Sequence, residues 1–352
     1  MKKIVKILLP FIVASSTVFS GCDKNKKDGR VLLSFGDVHA TQTREIDIAK
    51  LAELKNAKEN FLFVVSTNTC GCWRDDFQPV LNQYLQNNKG LCYRIDFNNF
   101  KDSAATFGLP NVSSSTTTFA IFENGVVKTS LCTADDKNIM YDVSKFNKYM
   151  EESVIKPGCY FITKDDVTTI KNSGESAVIY FERSACGDCT NLNPGLLRTY
   201  IKEHGDANKI YVLDCQEYWR RSDAEDYSTY VEVKKELGMA EETNPTYGFS
   251  SGVFPFFSYI ENGQNASGCV IYNDQVEKVS DKFVVTNSYY TAERATNLQY
   301  TNKVLKGLEL TAEDVYDKTT YVTWKSESAD TYYKEILDSF LDYALPKVTY
   351  SF

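Results

Sequence analysis

Histidine is nearly absent from this chain: His39 and His204 are the only two in 352 residues. Sites that need several imidazoles are therefore excluded. Excess positive charge is missing as well. Lys and Arg number 39 against 47 Asp and Glu, a formal net charge of −8. A nucleic-acid surface needs a basic stripe, so no nucleic acid is expected as a partner. No apolar run reaches the roughly 20 residues of a membrane-spanning helix. Glycine and proline are sparse, 18 and 8 residues, which excludes a fibre, while 43% hydrophobic content excludes a disordered chain. What the sequence does have is cysteine. Ten of them make thiol chemistry the first thing to test. The length suits two domains of roughly 150 residues each.

The N-terminus specifies a compartment. Lys2, Lys3 and Lys6 form a positive region, Ile7 to Phe19 an apolar stretch too short to span a bilayer, and Phe19-Ser20-Gly21-Cys22 follows. This pattern resembles a bacterial lipoprotein signal, in which residues 1–21 are removed and Cys22 is lipidated. Phe19 departs from the usual Leu. An ordinary cleaved signal with an incidental cysteine is the plainer alternative. The resemblance implies a lipid-anchored protein on the extracytoplasmic face of a bacterial cell membrane, with residues 22–30 as a tether.

The remainder reads as a two-fold repeat. Ile46 to Trp73 and Phe161 to Cys189 each predict a short amphipathic helix, a buried strand and a cysteine pair. The strands are Phe61 to Val65 and Ala177 to Phe181. Further strands follow at Cys92 to Asp96 and Ile210 to Asp214. Then come Thr117 to Gly125 and Pro255 to Gly263, each ending in Glu-Asn-Gly, a hairpin signal. Amphipathic helices at Val143 to Val154 and Thr331 to Ala344 close the halves. Lys156-Pro157-Gly158 marks the boundary, giving domains 31–155 and 156–352. Two insertions enlarge the second, within Gln216 to Ser251 and Tyr272 to Asp330. The first holds a helix near Tyr227 to Leu237 and the aromatics Tyr218, Trp219, Tyr247 and Phe249.

This order of elements resembles the thioredoxin superfamily, most specifically in the second half. Cys186-Gly187-Asp188-Cys189 has the family's C-x-x-C spacing directly after a buried strand. Pro194 stands where the family kinks its helix, Pro255 where it carries a cis-proline, and the Glu-Asn-Gly turn where it has a hairpin. The resemblance implies an α/β chain of two tandem thioredoxin-like domains, each a central mixed sheet flanked by helices. It also implies that Phe254 and Pro255 edge a substrate groove. The family's buried acid, six residues before the nucleophile, is replaced by Tyr180, and its tryptophan before the motif by Ala185.

The chemistry follows from position. A thiol attacks a disulfide only as thiolate. At a strand end that opens a helix, Cys186 meets unpaired backbone N–H groups and the positive end of the helix dipole, so it is the nucleophile. Cys189, one turn on, resolves the mixed disulfide. Gly187 and Asp188 tune the couple, and the Asp188 charge is expected to oppose thiolate formation. A structural disulfide or a zinc knuckle is the other use of such spacing. No metal is expected, because no second C-x-x-C or histidine lies nearby.

In the first half, Cys70-Gly71-Cys72 is C-x-C, whose disulfide would close a very small ring and be easily reduced. Thr117 holds the cis-proline place, and Pro79 lies about where the helix proline belongs. This half is either a second redox site or a divergent domain kept for structure or docking. Cys92, Cys132, Cys159, Cys215 and Cys269 read as small buried residues with no assignable pairing. The chain is thus expected to be an extracytoplasmic thiol-disulfide oxidoreductase without a cofactor. It would work on protein thiols and disulfides of secreted or surface proteins and be recycled by a membrane electron donor or acceptor. The alternative is a non-catalytic binding, adhesion or secretion-accessory lipoprotein on the same scaffold, since fold alone does not fix function.

Overall fold

The structure, a computed structural model, describes residues 29–204, 209–218, 224–240, 252–272, 276–279, 282–285, 289–291, 315–316, 321–322 and 327–352. The signal sequence, Cys22, and the insertion aromatics Trp219, Tyr247 and Phe249 lie outside these residues. Among the described residues, no helix is long and apolar enough to cross a membrane.

The first half runs β1 (Val31–Leu32), β2 (Gly36–Asp37), β3 (Arg44–Glu45), α1 (Ile48–Asn56), β4 (Phe61–Ser66), α2 (Gln78–Asn88), β5 (Cys92–Asp96), β6 (Thr118–Glu123), β7 (Val126–Cys132), α3 (Val143–Ser153) and β8 (Val154–Ile155). Its five-stranded sheet has the order β3-β5-β4-β6-β7. The central strand, FLFVVS, is buried at every position, because helices cover both faces. It pairs parallel with β5 and antiparallel with β6. Asp47 starts α1 by accepting from the Lys50 backbone N–H, the usual role of aspartate at an N-cap.

The second half repeats the plan: β9 (Cys159–Phe161), α4 (Lys164–Ser173), β10 (Ala177–Glu182), α5 (Gly187–Leu192), α6 (Arg198–His204), β11 (Ile210–Asp214), α7 (Ala224–Leu237), β12 (Phe256–Glu261), β13 (Gln264–Val270), β14 (Val276–Val279), β15 (Lys282–Val285), β16 (Tyr289–Thr291) and α8 (Glu327–Ala344). Thr163 and Asp166 form a reciprocal capping box on α4, and Gly174 ends that helix in the left-handed region. Strand β10 again sits between a parallel neighbour, β11, and an antiparallel one, β12. Both halves therefore carry the mixed sheet, helix order and hairpin of the thioredoxin fold, and the chain is two tandem thioredoxin-like α/β domains. The insertion helix begins at Ala224, and the closing helix at Glu327, four residues before the expected Thr331.

The N-terminal segment adds something the repeat does not announce. Strand β2 pairs parallel with β9, so the chain start completes the edge of the second domain's seven-stranded sheet, while β3 joins the first domain's. Strand β1 pairs with β8 between the two. The junction is fastened by Arg198, which is 6% exposed. Its guanidinium donates to the Ala57 carbonyl at 2.9 Å, to Asn60 Oδ1 at 3.2 Å and to Asn124 Oδ1 at 2.8 Å.

The Glu-Asn-Gly turns have a physical reason beyond the hairpin. Asn124 and Gly125 both have positive φ, +54° and +76°, and Asn262 and Gly263 match them at +52° and +76°. Two successive left-handed residues are the signature of a type I′ turn. A Cβ on Gly125 would collide with the Lys55 carbonyl at the end of α1, and one on Gly263 with the Lys171 carbonyl in α4. Gly125→Ala or Gly263→Ala should therefore cost roughly 1–3 kcal/mol, more than glycine-to-alanine replacement in an open turn. The check is the urea midpoint of each variant. A midpoint equal to that of the unaltered protein would contradict this packing.

Candidate functional site

Strand β10 delivers the site. It ends at Glu182, and four residues later Cys186 caps the helix that begins at Gly187. A helical path continues through Asn193–Leu197, a π-helical turn containing Pro194, into α6. Cys186 is partly exposed and Cys189 is buried, and both are thiols rather than a disulfide. This is the arrangement expected of a nucleophile and its resolving partner.

The electrostatics separate the two sulfurs. The Cys186 thiol is pulled down to about 5, first by the hydrogen bond from Cys189 and then by the backbone N–H groups of Cys189 and Asp188, with the Arg183 charge adding to them. Cys189 is pushed far up, first by the same hydrogen bond and then by burial and the neighbouring thiolate. The Asp188 backbone N–H points to the sulfur and favours the thiolate, a contribution of the main chain that is separate from the side-chain charge considered in the sequence. Pro255 follows the one cis peptide bond among the described residues, Phe254-Pro255, at the place the resemblance implied. Phe254 is 8% exposed and packs in one apolar cluster with Cys189 and Cys186.

The residue that sequence reasoning missed is Glu182. Tyr180 does occupy the family's acid position, fully buried, with its hydroxyl donating to Asn193 Oδ1 at 2.8 Å. Two residues on, and so on the same side of the strand, Glu182 is 6% exposed. Asn193 Nδ2 donates to its Oε2 at 2.5 Å. Burial pushes the Glu182 carboxyl up to about 7, opposed by the Asn193 bond and supported by the Asp214 charge. The cavity of about 90 Å³ that it lines also touches Cys189 and Asn193. A buried acid is thus present in the cavity beside Cys189, displaced by two residues from the place of Tyr180. The signal was a charged residue ending an otherwise apolar strand.

The first domain diverges where the second is regular. Cys70 and Cys72 form a disulfide. Both sulfurs lie 3.6 Å from the Ser115 carbonyl oxygen, and Cys72 Sγ lies 3.4 Å from Thr117 Oγ1. Thr117 is fully buried, and its backbone N–H donates to Thr133 Oγ1 at 2.9 Å. Ser66 stands where the second half has Glu182, four residues before the first cysteine, and there it accepts from Arg94 Nε at 2.7 Å. Arg94 also lies over the Trp73 ring. No acid is buried behind these sulfurs at the matching position. The buried thiols Cys92, Cys159 and Cys215 are all raised well above the ordinary value by burial, which makes them poor nucleophiles. Cys269 is likewise buried, while Cys132 is partly exposed. Among the described residues no group of three His, Cys, Asp or Glu side chains is placed to hold a metal ion.

No family model and no curated protein matches the chain. Solved structures are similar at low scores. Human ERp44 is 9% identical, with a TM-score of 0.31, over 63% of this chain and 49% of its own. Thioredoxin O2 from Arabidopsis thaliana is 19% identical, TM-score 0.23, over 36% and 94%. The first two thioredoxin domains of Naumovozyma dairenensis Eps1p are 8% identical, TM-score 0.23, over 69% and 90%. The chain spans about half the length of human ERp44. Likeness at this level carries nothing about activity.

One outcome follows from the separated sulfurs. Iodoacetamide should label Cys186 before any other thiol, with a rate that rises through a midpoint near pH 5 and is flat by neutral pH. Mass spectrometry of the singly labelled protein identifies the site. Labelling of Cys189 first, or a midpoint at the ordinary thiol value, would reverse the assigned roles.

Proposed function

We propose that this protein is a thiol-disulfide oxidoreductase that works outside the cytoplasm, tethered by lipid on Cys22. The observation that carries the redox reading is the pairing of a partly exposed, low-pKa Cys186 with a buried, high-pKa Cys189 on one turn of helix. A scaffold used only for docking has no need of such a pair.

The steps balance within the chain and its substrate. The Cys186 thiolate attacks one sulfur of a protein disulfide, a mixed disulfide forms, and the substrate's other sulfur leaves as thiolate. Cys189 then gives up its proton and attacks Cys186 sulfur. The intramolecular disulfide forms, and the second substrate sulfur is released. Two electrons have passed from the dithiol to the substrate. Run backwards, the same steps oxidise a dithiol. A nearby carboxylate with a value near neutrality suits the proton that Cys189 must lose. Phe254 packs in the same apolar cluster as both sulfurs, and with Pro255 it would meet the substrate backbone. A membrane electron donor or acceptor would return the pair to its working state.

The assay is reduction of a model disulfide protein and refolding of a reduced one. Cys186→Ser should abolish turnover in both, whereas Cys70→Ser should lower it only partly or alter isomerisation. A dead Cys70→Ser beside a fully active Cys186→Ser would move the chemistry to the first domain. The tether has its own check. Cys22→Ala should leave the chain unprocessed or released from membranes, and normal cleavage with unchanged membrane retention would remove the lipid from the proposal.

A further inference from the structure

The cavity behind Cys189 is not built by the second domain alone. Glu182, Arg183, Cys189 and Asn193 line one side, and Lys50 and Glu59 of the first domain line the other. Glu59 is 5% exposed, and its Oε2 has no hydrogen-bond partner among the described residues. A carboxylate oxygen left so at a domain junction is costly, and it calls for a reason. Lys50 lies at the rim, where its ammonium pairs with Glu53 at 2.8 Å, both side chains reaching solvent. A wider cleft of about 860 Å³ adjoins the cavity and shares Lys50, Glu53, Tyr93 and Glu182 with it.

We propose that the first domain completes the proton handling of the second: Glu59 and Lys50, acting across the junction, set how readily Glu182 takes the proton of Cys189 and passes it to the cleft. The inference rests on the redox reading of Cys186 and Cys189. In the resolving step the Cys189 S–H bond breaks and its proton goes to the Glu182 carboxylate, while its sulfur bonds Cys186 and the Cys186–substrate S–S bond breaks, the substrate sulfur leaving as thiolate. Glu182 then releases the proton to water in the cleft.

The groups that face Glu182 act in opposite directions. Asp214, from β11, and Glu59 raise its carboxyl, whereas Asn193 and Lys50 lower it. On its own element lies Tyr180, and on the helix the Cys186 and Cys189 sulfurs. Arg183, Glu53 and Tyr93 complete the charged and titratable lining. Around Glu59 the charges are Arg198, Lys202 and Lys50, and burial raises its carboxyl above the ordinary value despite them. Glu59 and Lys50 are thus positioning residues that work through Glu182. The divergent domain would then be kept for what it brings to its neighbour's site rather than for its own sulfurs.

The test uses the full chain in a Cys70→Ser, Cys72→Ser background, reduced and mixed with an aromatic disulfide that releases a coloured thiolate. A first release reports attack by Cys186, and a second reports resolution by Cys189. The rate of the second release should rise with pH through the Glu182 value of about 7. Glu59→Gln removes a like charge and should shift that profile to lower pH, by up to about one unit for groups coupled this way. Lys50→Gln removes an opposite charge and should shift it upward. Shifts of opposite sign cannot come from general loosening of the fold. Should Glu59→Gln fail to fold, the exposed Lys50→Gln still decides. Profiles superposed on that of the parent would overturn the inference while leaving the redox reading intact. A parent with no second release would overturn the redox reading itself.

Discussion

A guanidinium cannot be buried without acceptors, and Arg198 is buried at the meeting of the two domains. It begins α6, on the same helical path that starts at Cys186, and it finds its acceptors in the first domain: the end of α1, the start of β4 and the first hairpin turn. Those three groups are thereby held against the helical path that starts at Cys186. Ala57 closes α1, so the orientation of Lys50 and Glu53 follows. Asn60 follows Glu59, so the carboxylate follows. The bonds that the two terminal nitrogens of Arg198 make thus bear on the walls of the cavity behind Cys189. Removing one partner of a buried charged network typically costs about 3–5 kcal/mol, because the remaining groups are left uncompensated.

The same principle explains why the two cysteine sites differ although their strands and turns match. Behind Cys70 and Cys72 the buried ionic group is a cation, Arg94, satisfied by Ser66, Asn68 and Glu45. Behind Cys186 and Cys189 it is an acid, Glu182. A cation cannot accept a proton from a thiol, whereas an acid near neutrality can both accept and return one. The domains share a fold and differ in the sign of the charge buried behind their cysteines.

Much of this was legible in the sequence. The strands from Phe61 and Ala177 are near-continuous apolar runs, and the Asn-Gly dipeptides signal a hairpin, so both halves and their hairpins could be read. Cys186, Cys189 and Pro255 were found by spacing after such a strand. Glu182 was not found, because the acid was sought at the position of Tyr180. Its burial depends on Asn193, eleven residues downstream across the helix, and on the other domain closing over it. The Asp188 N–H was not foreseen either, because a sequence shows the carboxylate and not the direction of the main chain. Glu59, Arg198 and the exchange of β2 lay beyond any periodicity, since burial between domains imposes no repeat on the chain.

The crossing of β2 has a consequence for how this protein can be divided. Gly36 and Asp37 pair with Tyr160 and Phe161, so the edge of the second sheet is closed by chain that lies at the start of the first half. A gene cut at the boundary near residue 156 would strand those two residues on the wrong piece and leave β9 with unpaired backbone groups. The second domain cannot be inherited, expressed or lost as a cassette without its distant leader strand. The two halves follow one pattern, yet the polypeptide is woven so that the second is not a separate module.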